Sequence, residues 1–184
     1  NSMREEVLRL NKLVDELGTL SRFESESLRL NIEPFDLMEL CQQTIQNFEN
    51  TARQKGVLLT CAGTQAFVEA DRDKIGQVLI NLMHNALKFT PAGGTVSITT
   101  EVEHNRAVLT VRDTGCGIAP EHLPFIFERF YRADPSRTRE TGGSGIGLAI
   151  ALAIAKAHNG DIRVSSTVGE GSEFVLSLPL YPVS

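Results

Sequence analysis

The 184-residue chain has only three cysteines, Cys41, Cys61 and Cys116, and no two of them form a CxxC pair. An odd, scattered set of this kind argues against a disulfide framework and against a metal-ligand or redox role, and suits a reducing cytosolic compartment better. Long hydrophobic runs are missing as well. No window approaches the roughly 20 apolar residues a membrane helix needs, and the polar, charged first residues carry no secretory signal. Positive charge is in deficit: 18 Lys and Arg face 23 Asp and Glu, and the net charge of −5 argues against a nucleic-acid surface. There are no internal repeats and no low-complexity tracts. What is present is ordinary globular chemistry, 41% hydrophobic and 22% charged, in a chain long enough for one domain with a real core plus something smaller. Asn1-Ser2 ahead of Met3 reads as an appended dipeptide, so the chain is expected to be a piece of a longer protein.

Residues 3 to 23 carry an apolar seam at Met3, Val7, Leu10, Val14 and Leu17, widened by Leu13 and Leu20. Steps of four and three residues predict an amphipathic, coiled-coil-like helix that needs a partner helix, supplied by another chain or absent here. The other reading is a helix lying on its own domain. Ser25, Ser27, Asn31 and Pro34 break the pattern, and Leu28, Leu30 and Ile32 alternate as a short strand, so the domain boundary is placed at residues 32 and 33. Asp36 is expected to cap a helix to Lys55 that stops at Gly56, and Asp71 one from about residue 72 to 89. That second helix has the stripe Ile75, Val78, Leu79, Leu82, Met83, Ala86 and Leu87. Strands are expected at 57–61, 67–70 and 95–103, with a return strand through Ala107, Leu109 and Val111. A helix over about 146–158 precedes a final hairpin around Gly169. Three helices on one face of a mixed, mostly antiparallel sheet make an α+β two-layer sandwich. Residues 118–143 have little apolar periodicity and are too long for a simple connection, which marks a candidate lid.

Asn81, Asn85 and Lys88 share one face of their helix by spacing. Asn is a poor helix-interior residue, because its side chain competes for the backbone. Amide oxygens are hard ligands that suit Mg2+, which takes its remaining oxygens from water and phosphates. Lys88 can meet a phosphate as a point charge, and Phe89 can pack beside a base. Asp113-Thr-Gly115-Cys-Gly117 follows a strand directly. Its carboxylate can accept from an exocyclic amine while the glycines let the backbone approach a flat ligand; a tight turn begun by Asp is the plainer reading. Gly142-Gly143-Ser-Gly145-Ile-Gly147 opens a helix and suits phosphate, yet it is neither a Walker A loop nor a dinucleotide fingerprint; a flexible hinge is the alternative. Phe127, Phe130 and Tyr131 suggest hydrophobic docking, and Arg129 and Arg132 could neutralise phosphate charge.

The order of these elements, closed by Gly169-Glu-Gly-Ser172-Glu-Phe174, resembles the ATP-binding catalytic domain of sensor histidine kinases, within the GHKL (Bergerat) superfamily. The resemblance covers residues 35–181. Residues 3–32, with Leu13-Val-Asp-Glu-Leu17 and Leu20-Ser-Arg-Phe-Glu24, are similar to the second helix of that family's dimerisation domain. It implies residues 1–32 as a partial dimerisation helix and connector, and residues 33–184 as the catalytic domain. It implies ATP and Mg2+ as cofactors, with Asn85 the main metal ligand and Asn81 supporting it. Lys88 and Arg132 would reach the phosphates, Phe89 would line the base pocket, and Asp113 would bind the adenine amine beside Gly115, Gly117 and Ile118. Gly143, Gly145, Gly147 and Leu148 would line the glycine-rich end, and Ser172 would sit near adenine. A cytoplasmic setting, a homodimer through the first helix and a response-regulator partner follow, with the parent protein able to be membrane-anchored.

The resemblance also implies γ-phosphate transfer to a His upstream of the helix at 3–23. His84, His104, His122 and His158 lack that context, so the chain is expected to bind ATP without phosphorylating itself. The rival within the superfamily is an ATPase of the gyrase, mismatch-repair or chaperone type; the resemblance implies Glu in those enzymes where this chain has Asn81, and Asn cannot act as a general base. An anti-sigma-type serine kinase and a non-catalytic nucleotide-binding module are the remaining alternatives.

Overall fold

The computed structural model describes residues 2–24, 29–129, 131 and 146–182, without the side chains of 19, 20 and 22–24. Four helices and seven strands lie in these stretches: α1 (Ser2–Glu24), β1 (Ile32–Asp36), α2 (Leu37–Lys55), β2 (Leu58–Gly63), β3 (Phe67–Asp71), α3 (Arg72–Phe89), β4 (Thr95–Glu103), β5 (Arg106–Asp113), α4 (Gly147–Ala157), β6 (Asp161–Thr167) and β7 (Gly171–Pro179). A single 3-10 turn spans Leu123–Phe125.

Local chemistry sets the boundaries. Asp36 accepts the Met38 N–H at 3.1 Å and starts α2; Gly56, at φ 73°, ends it with its N–H on the Ala52 and Arg53 carbonyls. Asp71 accepts the Lys74 N–H at 3.2 Å and starts α3. His104 and Asn105 both take left-handed φ, 51° and 60°, which matches the tight turn joining β4 to β5.

The main sheet runs β2-β4-β5-β7-β6, parallel only at β2–β4. Helices α2, α3 and α4 cover one face. The buried side of α3 is the seven-residue stripe read from the sequence, Ile75 to Leu87. It meets Val96, Ile98, Leu109, Val111, Phe174 and Leu176 from the sheet in one core. The expected α+β two-layer sandwich is thus the observed fold.

Two details differ from the sequence reading. β1 runs through Pro34 instead of ending before it, and pairs with β3 in a separate two-stranded sheet. A two-stranded ribbon has an outer edge where proline's missing N–H breaks no ladder bond. The strand expected through Leu28 and Leu30 starts only at Ile32; Ser25 to Leu28 lie outside the described residues. The second difference concerns α1. Leu13 and Leu17 pack against the domain core and the helix contacts α4, so part of its stripe lies on its own domain. Met3, Val7, Leu10 and Val14 stay 83%, 54%, 53% and 63% exposed. No described helix is long and apolar enough to cross a membrane.

His158, expected at a helix end as a structural or exposed residue, is a structural one. It is buried at the end of α4; its Nδ1 donates to the Ile154 carbonyl at 2.8 Å and its Nε2 accepts the Asp71 N–H at 3.1 Å. It therefore ties α4 to the start of α3. His158→Ala strands that buried N–H, and a loss of about 2 kcal/mol in urea unfolding is expected.

Candidate nucleotide site

Four pieces of chain meet at the C-terminal end of α3: that helix end, the 113–118 turn, the β6–β7 hairpin and the start of α4. The Phe89 carbonyl accepts the Cys116 N–H at 3.3 Å, joining α3 to the turn. A Cβ on Gly115 would stand 2.5 Å from that carbonyl oxygen, so only glycine fits there. Gly117, at φ 75°, lies against β6, where a Cβ would come within 2.2 Å of the Thr167 carbonyl. The Cys116 carbonyl accepts from the Gly169 N–H at 2.8 Å and locks the turn to the hairpin.

Asp113 ends β5 and is only 4% exposed. Its Oδ1 accepts the N–H groups of Gly115 at 2.9 Å and Ser172 at 3.3 Å. Burial pushes its pKa up, while these two backbone bonds pull it down. Among the described residues Oδ2 accepts no hydrogen bond, and no buried side-chain oxygen lacks a partner. Oδ2 is therefore an accessible acceptor on an otherwise buried carboxylate, available to an incoming donor.

Asn81, Asn85 and Lys88 are all half-buried on one face of α3. The Asn81 Nδ2 donates to the Gly147 carbonyl at 3.0 Å, strapping α3 to the first residue of α4. That bond fixes the amide orientation and leaves Oδ1 as the acceptor end. The Asn85 side chain makes no hydrogen bond among the described residues. Lys88 Nζ lies 5.2 Å from the centre of the Phe89 ring, which is 39% exposed. Lys55, read from the sequence only as the end of a helix, donates from Nζ to the carbonyls of Leu87 and Lys88 and holds the end of α3. α4 begins at Gly147 with no side-chain cap from Ile146, and its second residue, Leu148, is half-buried against the core.

Ile118 donates its N–H to Ser166 Oγ at 2.7 Å, and Ser166 Oγ lies 2.8 Å from Ser172 Oγ. Ser166 was also missed. Its signal was present in the hairpin: residues placed symmetrically about the Gly169 turn become cross-strand partners, as Ser166 and Ser172 are. Beyond Ile118, the segment expected as a lid is anchored at its base. Ile126 is buried, and Phe127 packs edge-on to Phe174 with ring centres 6.2 Å apart. Phe130, Arg132, Gly143 and Gly145 lie outside the described residues. His84 packs edge-on to Phe48 at 5.1 Å, its pKa lowered by burial and by Lys12. The Cys41 thiol is fully buried, which pushes its pKa far up and leaves it inert.

Residues 70–182 match a family described as histidine kinase-, DNA gyrase B- and HSP90-like ATPases. The chain is 38% identical over 179 residues to the sensor histidine kinase WalK of Bacillus subtilis, covering 96% of this chain and 29% of WalK. It is 38% identical over 176 residues to the sensor protein SrrB of Staphylococcus aureus, covering 95% of this chain and 30% of SrrB. The chain thus spans under a third of the length of these relatives. Full-length ShkA in complex with AMPPNP superposes with a TM-score of 0.86 at 30% identity, over 100% of this chain and 38% of that one. Histidine kinase ThkA in complex with the response regulator TrrA gives 0.79 at 29% identity, over 99% and 50%.

Proposed function

The chain belongs to the histidine kinase-, DNA gyrase B- and HSP90-like ATPase family, as a histidine-kinase-type domain, and we propose that it moves the γ-phosphate of ATP to a histidine presented by the kinase's dimerisation helices. The observation that carries the ATP reading is Asp113, a buried carboxylate with one oxygen tied to the backbone and the other open. An acceptor of that kind fits the exocyclic amine of adenine. Phe89 offers a half-exposed ring for the base, and Gly115 and Gly117 bring the backbone close to it. Ile118 and Ser172 close that end. Asn85 offers a hard amide oxygen with no other partner among the described residues, which fits Mg2+. Asn81 borders the same face, and Lys88 supplies positive charge for the phosphates. The start of α4, with Gly147 and Leu148, adds the positive end of a helix dipole. Arg132, Gly143 and Gly145 complete the proposed phosphate wall.

Bound Mg2+ would supply charge neutralisation on the phosphates. The chain's own residues position the nucleotide and exclude hydrolysis. Asn81 offers no general base for water, so placement and electrostatics carry the transfer. The acceptor is proposed to come from outside this chain. His104 is a solvent-exposed turn residue, His158 is locked between two backbone groups, and His84 and His122 sit against Phe48 and Tyr131. The exposed seam of α1 is proposed to pair with a second copy in the parent protein. A response regulator is its proposed downstream partner, and the cytoplasm its proposed compartment.

Incubating the chain with radiolabelled Mg·ATP tests this reading. No acid-labile phosphohistidine and no steady hydrolysis are expected. Sustained phosphate release that disappears in Asn81→Ala would make the protein an ATPase instead.

A further inference from the structure

Asp113 on β5, Ser172 on β7 and Ser166 on β6 form one row across three strands, because Asp113 pairs with Ser172 and Ser172 pairs with Ser166. Cross-strand partners share a face, so all three side chains stand on the helix side of the sheet at the nucleotide end. Ser166 Oγ makes three short contacts: the Ile118 N–H at 2.7 Å, the Gly171 carbonyl at 2.9 Å and Ser172 Oγ at 2.8 Å. Two oxygens at such a distance need a proton between them. The Gly171 carbonyl has none to give, so the Ser166 hydroxyl proton lies on that contact. The Ile118 N–H occupies one Ser166 lone pair. Only the Ser172 hydroxyl is left to fill the third contact, so Ser172 donates to Ser166.

We infer that Ser166 is a positioning residue that fixes the Ser172 hydroxyl as a donor away from the site, and so sets the choice of nucleobase. This inference rests on the ATP reading above. With its proton held by Ser166, Ser172 Oγ offers only lone pairs. Asp113 Oδ2 beside it is likewise an open acceptor. Set against the 6-position, these acceptors welcome the amine of a 6-aminopurine and repel the carbonyl of a 6-oxopurine. Ser166→Ala frees the Ser172 hydroxyl to rotate and donate, which relaxes that discrimination.

The probes are ATP and inosine triphosphate, which share sugar and phosphates and differ at the 6-position and in the proton that inosine carries on N1. Dissociation constants are measured calorimetrically with Mg2+ for the wild-type chain, Ser166→Ala, Ser166→Thr and Ser172→Ala. The wild type is expected to prefer ATP, and Ser166→Ala to shrink the ATP-to-inosine preference about fivefold. Ser166→Thr keeps the hydroxyl and restores the preference. Ser172→Ala reads the same relay independently of whether Ser166→Ala folds, since losing the acceptor oxygen weakens ATP more than the inosine nucleotide. A merely structural serine would weaken both nucleotides equally, and an unchanged ratio in Ser166→Ala or Ser172→Ala overturns the inference. A wild-type chain that binds ATP with an unchanged ratio in the variants sinks this inference alone; one that binds neither nucleotide sinks the ATP reading with it.

Discussion

Replacing Asp113 with Asn is expected to weaken ATP binding at least about tenfold, since a good charge-assisted hydrogen bond contributes roughly 1.5–3 kcal/mol. The same change is expected to leave the fold as stable as the wild type, or more so. The two effects separate because the carboxylate has two different oxygens. Oδ1 accepts from Gly115 and Ser172, and an Asn amide oxygen can take over both bonds. Oδ2 accepts nothing among the described residues, and there the variant would present an NH2 group to an incoming amine.

The pH dependence has a defined sign. Burial raises the Asp113 pKa above its ordinary value, against the pull of its two backbone bonds. The folded protein therefore holds this proton more tightly than the unfolded chain does. Folding is favoured as pH falls through the folded-state pKa, and the charged form costs stability at neutral pH. In urea titrations the advantage of Asp113→Asn is greatest near neutrality and shrinks as pH drops into the carboxylate range. A wild type that outlasts the variant at neutral pH, together with unchanged ATP affinity, would show that Asp113 is a plain turn residue.

The second large effect belongs to Asn85. Asn85→Ala is expected to lower affinity for Mg·ATP on the order of a hundredfold, because a lost metal contact removes several kcal/mol of charge stabilisation. Binding of ATP in excess chelator is expected to change little. That split distinguishes a metal ligand from a residue that shapes the pocket, which would lower both. The neighbour one turn earlier should behave differently. Asn81 straps α3 to Gly147 through its Nδ2, so Asn81→Asp sets a carboxylate oxygen against a carbonyl and loosens the start of α4. Faster amide exchange across residues 147–150 is the expected readout.

Much of this fold was legible in the chain because local rules and packing agree. The α3 stripe, the caps at Asp36 and Asp71, the stop at Gly56 and the His104-Asn105 turn all follow from short-range chemistry. β1 was misread because Pro34 signals a break locally, whereas the two-stranded pairing that tolerates it is a long-range fact. α1 shows the same limit. Its seam announces a partner, but spacing cannot say that Leu13 and Leu17 find theirs on the same chain while Met3, Val7, Leu10 and Val14 stay exposed. At the site, the motif residues were readable from their types and order. Their supports were not. Lys55 and His158 act through backbone groups brought near by the fold, and such a bond leaves no pattern in sequence, while Ser166 showed only in its symmetry about the Gly169 turn.

The central claim is that this chain is built to hold Mg·ATP with Asp113 on the base and Asn85 on the metal. Calorimetric titration of the purified chain with ATP, with and without Mg2+, tests it most directly. One saturable site is predicted, tighter with Mg2+, weakened at least about tenfold by Asp113→Asn and made insensitive to Mg2+ by Asn85→Ala. Absence of saturable binding in the wild type, or binding indifferent to both substitutions, would contradict it.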